Sequence, residues 1–282
     1  MYPELFRLNL PFVGQVTITS FGVLLAIAFL AGYQTVRVRL RELGKDTELA
    51  GDLLLAGLVG GMLGGKIYYL FLTWDRTIAD PAGAIFSRSG LVWYGGLIGG
   101  MLGVAWVIRR RGEPFLQVLD IGAPALAIGH AIGRFGCFMV GDDYGRPTDS
   151  WVGVAFPNGY PPTTAGNLRS DFGAAIPETV PDSAVLEVHP TQLYESAMLF
   201  AIFFVLWRLR KKPRPDGWLF GVWMILASVE RLLVEFLRAK DDRFMGPFTL
   251  AQAISVMILA AGILIVVNRR RRRERPPAVV AG

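Results

Sequence analysis

Residues 247–275 read PFTLAQAISVMILAAGILIVVNRRRRRER. An apolar run of about 20 residues crosses a hydrocarbon core of about 30 Å as a helix. Here that run ends in five consecutive arginines, Arg269–Arg273, with Arg275 just beyond. Basic residues flanking a span collect on the cytoplasmic side, so this stretch predicts a transmembrane helix with its carboxyl end inside. Six further runs of similar length precede it, giving spans at 16–36, 49–72, 91–108, 116–140, 190–207, 217–237 and 247–267. His130 and Arg134 interrupt the fourth.

The other basic blocks repeat the pattern. Arg37/Arg39/Arg41/Lys45, Arg109/Arg110/Arg111 and Arg208/Arg210/Lys211/Lys212/Arg214 follow the first, third and fifth runs. The loops after the second, fourth and sixth runs are poorer in Lys and Arg or balanced by acids. Alternation of this kind predicts an all-α polytopic membrane protein of seven helices, amino terminus out and carboxyl terminus in. The chain is 52% hydrophobic and 18% charged, with mean hydropathy +0.42. The net charge of +6 is thereby explained by topology, and nucleic acid is not an expected partner. No basic n-region and small-residue cleavage site precede the first run, so it is read as an uncleaved anchor. The single cysteine, Cys137, excludes an intramolecular disulfide.

Two spans are dense in glycine. Gly57, Gly61 and Gly65 recur every four residues, as do Gly95, Gly99 and Gly103, with Gly96 and Gly100 alongside. Such rows let helix backbones approach closely in lipid. The segments 57–64 (GLVGGMLG) and 96–103 (GLIGGMLG) are nearly identical. Either an inverted repeat of the transporter kind or one packing solution reached twice accounts for them; the second is favoured, because the likeness stops at the glycine rows. Residues 142–188 form the longest polar connection and are expected to make a small extracytoplasmic cap. Trp151–Pro157 suits a strand, and 158–182, rich in Pro, Gly, Ser and Thr, reads as irregular and a mobile insert. The division expected is one transmembrane catalytic domain, 1–268, and a basic, disordered cytoplasmic tail, 269–282, beside anionic lipid.

Three polar groups fall at the outer ends of their spans. His130, Arg134 and Cys137 are spaced i, i+4, i+7 and share a helix face; Asp142, Asp143 and Arg146 follow. Arg231, Glu235 and Arg238 repeat that spacing in the sixth span, with Glu230 about 100° round the helix. His189, Pro190, Thr191, Gln192, Tyr194 and Glu195 open the fifth. An arginine within a span marks a site by default, and its fork of donors matches a phosphate. Arg134 and Arg231 on different helices suit one lipid phosphodiester, with Glu235 fixing the rotamer of Arg231. Bland readings stand beside these: the Arg231–Glu235 pair as a bundle staple, Arg238 as a snorkelling side chain, and His130 and Cys137 as packing residues. Asp142 and Asp143 also suit a turn, and Tyr144 and Trp151 an aromatic belt. The two histidines lack a local ligand set, so no metal is expected.

The run Gly133-Arg134-Phe135-Gly136-Cys137-Phe138, followed by Gly141-Asp142-Asp143-Tyr144-Gly145-Arg146-Pro147-Thr148, resembles the signature of bacterial prolipoprotein diacylglyceryl transferases. Tyr94-Gly95-Gly96-Leu97-Ile98-Gly99-Gly100, His189-Pro190-Thr191-Gln192-Leu193-Tyr194-Glu195 and Arg231-x3-Glu235-x2-Arg238 resemble further motifs of that family, in the right order. The resemblance implies transfer of diacylglyceryl from phosphatidylglycerol to the lipobox cysteine thiol of prolipoprotein signal peptides, releasing glycerol phosphate. It implies no cofactor, and a place in the bacterial inner membrane with the site facing the outer leaflet. Carried onto this chain, it makes Arg134, Arg231, Tyr94 and Glu235 catalytic. Arg134, Arg231, Gly95, Gly96, Asp142, Arg146, Gln192, Glu195 and Arg238 then bind phosphatidylglycerol. Some departures stand out: Tyr94 where some members have histidine, Phe21 for tyrosine, Lys66 for arginine, Cys137 for asparagine and Asp142 for glutamate. The alternatives are a lipid or anion transporter and a non-catalytic lipid-binding homologue. Transport predicts polar residues through the full membrane depth, whereas most spans here are apolar in their middle and inner parts. Asp52 and Asp120 lie near the cytoplasmic ends.

Overall fold

Alternating apolar and β-branched residues open the chain, and they pair. The computed structural model describes residues 4–10, 14–87, 92–239, 243–245 and 248–274. Strands β1 (Glu4–Leu10) and β2 (Gly14–Thr19) form an antiparallel hairpin. The first span therefore begins later than hydropathy suggests: Val16-Thr17-Ile18-Thr19 is strand, in keeping with its β-branched residues, and α1 covers Ser20–Glu42. Thr19 ends the strand and caps the helix, its Oγ1 accepting from Gly22 N at 3.1 Å.

The helices continue with α2 (Glu48–Leu72), α3 (Trp74–Ala79), α4 (Pro81–Phe86), α5 (Trp93–Arg110) and α6 (Phe115–Val140). Strand β3 (Val154–Ala155), helix α7 (Ala165–Ser170) and strand β4 (Glu187–Val188) come next. Helices α8 (Thr191–Leu209) and α9 (Trp218–Glu235), strands β5 (Arg243–Met245) and β6 (Phe248–Thr249), and α10 (Leu250–Glu274) complete the order. Five helices are long and apolar enough to cross a membrane: α1, α2, α6, α8 and the 250–269 part of α10. The other two long helices, α5 and α9, have 18 residues each. Many large apolar side chains face outward on these helices, such as Leu55, Phe71, Leu102 and Leu264, each more than 60% exposed. Water would make that surface an aggregation hazard; hydrocarbon covers it.

The chain divides into two compact units, Tyr33–Ile121 and Met1–Gly32 with Gly122–Gly282. In the first, α2 and α5 lie antiparallel with their backbones in contact. A Cβ placed on Gly60, Gly64, Gly95 or Gly99 would strike the facing helix's carbonyl oxygens. The tight row is Ala56/Gly60/Gly64 against Gly103/Gly99/Gly95, one residue away from the Gly57/Gly61/Gly65 row read from the sequence; a Cβ on Gly57 meets only Val104 Cγ2, at 3.8 Å. The near-identical segments thus face each other across one interface, which favours a packing origin for their likeness. At one end of this unit Arg111 pairs with Asp52 and, at 3.3 Å, with Asp46, while Lys45 meets Glu113. Lys66 donates to Ser87 O at 3.0 Å and Ser87 Oγ at 2.8 Å. Its compact ammonium therefore serves a carbonyl and a hydroxyl, for which a bidentate fork is not required.

In the second unit, α6, α8 and α9 share a core of Ala127, Ala131, Leu199, Ile202, Leu206, Trp218 and Leu219. Ser196 Oγ donates to Ala131 O at 2.9 Å, tying α8 to α6 by a side chain. Residues 141–190 form an ordered structure. Its core is Tyr144, Phe156, Leu168 and Val188, and Val154 pairs with Val188. The stretch 158–182, expected to be irregular, contains α7, capped by Thr164, and is tied down by Arg169. That arginine pairs with Asp182 and donates to the carbonyls of Ile176, Pro177 and Val180. Tyr144 is 2% exposed and belongs to this core, not to an aromatic belt; Trp151 is 96% exposed. The basic run from Arg269 continues α10 to Glu274, so its first part is helical; the end of the expected tail, 275–282, lies outside the described residues.

Candidate functional site

A glycine-ended helix delivers the first group of polar residues. Gly141, with φ 77°, takes the left-handed conformation that closes α6, donating to Cys137 O at 2.8 Å. The chain then threads between the start of α8 and the end of α9. Gly145 N donates to His189 O at 2.8 Å, His189 N to Arg146 O at 3.0 Å, and Arg146 N to Leu237 O at 2.8 Å. Gly145 is required at this crossing, because a Cβ would lie 2.6 Å from Leu237 O and 2.7 Å from Thr191 Cγ2. This backbone stitching brings the three motifs together. Thr191 Oγ1 donates to Asp143 O at 2.9 Å, and Gln192 Nε2 to Asp142 O.

The side chains form a ladder of alternating charge. Glu195 Oε2 accepts from Arg134 Nε in a short ion pair. Arg134 Nη1 reaches Asp143 Oδ2 at 2.9 Å, and Asp143 Oδ1 accepts from Arg238 Nη2 at 3.0 Å. Arg238 Nε lies 3.9 Å from Glu235, which pairs with Arg231 at 2.6 Å. Arg238 is therefore held, with a side chain 11% exposed, and does not snorkel. Glu195 and Glu235 are almost wholly buried. Arg134 Nη1 also lies 3.7 Å from Cys137 Sγ. Arg146, expected to bind substrate, spends its Nε on Arg238 O at 3.1 Å.

Some polar atoms are left over. Glu195 Oε1, Gln192 Oε1, Glu230 Oε1 and Arg231 Nη1 are buried with no hydrogen-bond partner among the described residues. Glu230 is 3% exposed and lies within Coulombic reach of Glu195, Arg134 and Arg231. His130 faces the same two arginines. Buried groups of this kind need a partner, and a ligand is the natural source. Cys137 Sγ and one oxygen each of Asp142 and Asp143 lie within 4.8 Å of one another, a spacing compatible with a metal. Both Asp143 oxygens already face guanidinium groups, so this grouping serves the ladder.

Asp143, which follows the first polar group in sequence and also suits a turn, is the hub of the ladder. It is the one non-glycine residue with positive φ, 55°, among the described residues, which suits an Asp. Burial alone would raise its carboxyl, but Arg238 and Arg134 outweigh burial and hold it below its ordinary 3.8. Burial and neighbouring Asp143 push Asp142 the other way. A depressed carboxyl contributes stability that is present above its unfolded value and lost as pH falls through the folded one. Asp143→Asn should therefore melt below the wild type at neutral pH. That gap should persist down to the ordinary aspartate value and close only beneath it. Thermal denaturation of both proteins in detergent across that range checks this; a gap that closes above pH 3.8 contradicts it.

Tyr94, Gly95 and Gly96 belong to the other unit, in the first turn of α5. Tyr94 is exposed and sets its ring edge-on to Trp93 at 5.2 Å. Gly95 packs on Gly64 and Tyr68, and Gly96 on Gly61.

A helical membrane protein with arginines clamped by buried carboxylates is the class these observations define. The chain belongs to the prolipoprotein diacylglyceryl transferase family, whose model matches residues 9–268. It is 30% identical over 264 residues to the phosphatidylglycerol–prolipoprotein diacylglyceryl transferase of Clostridium tetani, covering 93% of this chain and 96% of the relative. The enzyme of the same name from Pseudoalteromonas atlantica is 31% identical over 262 residues, 89% of this chain and 85% of the relative. That from Pseudomonas aeruginosa PAO1 is 30% identical over 272 residues, 93% and 92%.

Proposed function

We propose that this protein transfers the diacylglyceryl group of phosphatidylglycerol to the lipobox cysteine thiol of prolipoproteins. The thiol sulfur attacks the glyceryl carbon that bears the phosphate ester. The C–O bond breaks, a thioether forms, and glycerol phosphate leaves with the thiol proton on its phosphate. The observation that carries this reading is the pair Arg134 and Arg231, on different helices, each braced by a buried carboxylate. Arg231 Nη1 remains unspent. Preorganised guanidinium groups hold the phosphodiester and stabilise the charge that grows on the leaving phosphate. Glu235 fixes Arg231, and Glu195 and Asp143 fix Arg134. Asp142, Arg146, Gln192 and Arg238 complete the headgroup site. For Tyr94, Gly95 and Gly96, which belong to the other unit, the family resemblance alone supports a part in handling the thiol or the phosphate.

In this reading α5 and α9 also span, giving seven spans with the amino terminus outside. The carboxyl end, with its basic tail from Arg269, lies in the cytoplasm. The alternation of basic blocks supports this orientation and, with it, a site in the outer leaflet of the bacterial inner membrane, at the cap of 142–188. Purified protein given phosphatidylglycerol and a lipobox peptide should yield the thioether product by mass spectrometry. Folded, lipid-binding protein that makes no product would overturn the proposal and favour a non-catalytic homologue.

A further inference from the structure

The ladder of ion pairs uses Glu195, Asp143 and Glu235 and leaves a fourth acid beside it. Glu230 is 3% exposed, faces Arg134, Arg231 and Glu195, and offers a buried oxygen with no hydrogen-bond donor among the described residues. Glu195 Oε1 and Gln192 Oε1 share that condition, while Arg231 Nη1 is a donor without an acceptor. Asp142 Oδ1 is likewise buried without a partner among the described residues, so outside the ion pairs the site's unspent atoms are four acceptors and one donor. A phosphodiester alone satisfies the donor and leaves every acceptor dry. A phosphodiester whose headgroup carries hydroxyls satisfies both kinds, since each O–H donates to a carboxylate or amide oxygen.

We infer that Glu230 is a specificity-determining residue that accepts a hydrogen bond from a hydroxyl of the phospholipid headgroup and so selects hydroxylated headgroups. The inference rests on the proposed diacylglyceryl transfer. Glu230 is assigned this part because the other three unspent acceptors belong to side chains already engaged: Glu195 holds Arg134, Gln192 holds the Asp142 carbonyl, and the Asp142 carboxyl meets the Cys137 thiol. A site built to bond a substrate hydroxyl rejects an analogue that lacks it, because the buried acceptor is then stranded.

The test compares three donor lipids in mixed micelles with the full chain and a lipobox peptide. They are phosphatidylglycerol, phosphatidylpropanol (same phosphodiester, no headgroup hydroxyl) and phosphatidylethanolamine. The wild type should favour phosphatidylglycerol over phosphatidylpropanol by about 10- to 100-fold in kcat/KM, the cost of leaving one buried polar group unpaired. Glu230→Leu should collapse that ratio toward one by raising KM for phosphatidylglycerol, with KM for phosphatidylpropanol unchanged. Glu230→Gln, which keeps an acceptor, should retain part of the ratio. Equal wild-type use of phosphatidylpropanol, a ratio that survives Glu230→Leu, or turnover on phosphatidylethanolamine matching phosphatidylglycerol overturns the inference while leaving transferase activity standing. No transfer from any donor overturns the proposed function instead. If Glu230→Leu fails to fold, the wild-type donor ratio and Glu230→Gln decide.

Discussion

Arg134→Lys should cut kcat/KM for diacylglyceryl transfer by at least about a hundredfold, the scale on which single charge-stabilising donors act, while the protein still folds. Arg134 reaches Glu195 through Nε and Asp143 through Nη1. Its remaining donors are what a phosphate can use. A lysine keeps the charge and replaces the planar fork with one ammonium. It satisfies Glu195, or Asp143, or the phosphate, but not all three. Arg134→Ala should abolish turnover too, for mixed reasons. Glu195, with a side chain 1% exposed, would be stranded as a buried charge, at a cost of about 3–5 kcal/mol. The lysine variant separates chemistry from stability, and Arg111→Ala is its control. Arg111 also pairs with two carboxylates, Asp46 and Asp52, in the other unit, but its side chain is 39% exposed, and exposed pairs contribute little. Steady-state transfer assays beside melting curves in detergent decide the matter. Full turnover in Arg134→Lys removes the fork from the mechanism.

The sequence exposed Arg134 because an arginine inside an apolar run demands an explanation. It hid Asp143 and the true situation of Arg238. Their pairing depends on the 142–148 segment hydrogen-bonding to Leu237 and His189, and each of those contacts crosses more than forty residues of sequence. A turn aspartate and a helix-end arginine look ordinary when read locally. The amino-terminal hairpin was hidden for another reason: in Val16–Thr19 hydropathy and strand alternation compete, and a span-length window sees only the first. Helix positions were legible almost throughout, since length and apolarity set them. The contact face between α2 and α5 was legible as glycine-rich, but not in register. With glycines on adjacent rows, Gly60/Gly64 and Gly57/Gly61 satisfy the same spacing rule, and only the partner's carbonyls choose between them.

That choice makes the second large prediction specific. Gly99→Leu should prevent α2 and α5 from packing, and the protein should fail to accumulate as a monodisperse species in detergent. A Cβ at Gly99 would run into Gly60 O and stand 2.8 Å from Gly64 Cα. These are backbone atoms of the facing helix, which no rotamer change relieves. Gly99→Ala should already exceed the usual overpacking cost of about 1–3 kcal/mol. Gly57→Ala, whose Cβ meets only a valine methyl at 3.8 Å, and Gly51→Ala, with nothing within 4 Å, should fold normally. Each also gains up to about 1 kcal/mol of helix propensity. Fluorescence-detected size exclusion and melting curves of the four variants check the order. If Gly57→Ala proves as damaging as Gly99→Ala, the sequence-read row is the contacting one. Lipid gives apolar helices little hydrophobic reason to associate, so the α2–α5 pair depends on close packing that only Gly and Ala permit. Two segments facing each other antiparallel must each present small residues at the same four-residue interval. That shared demand is enough to account for GLVGGMLG and GLIGGMLG without a transport cycle, and it assigns these glycines to holding α5, and with it Tyr94, in place.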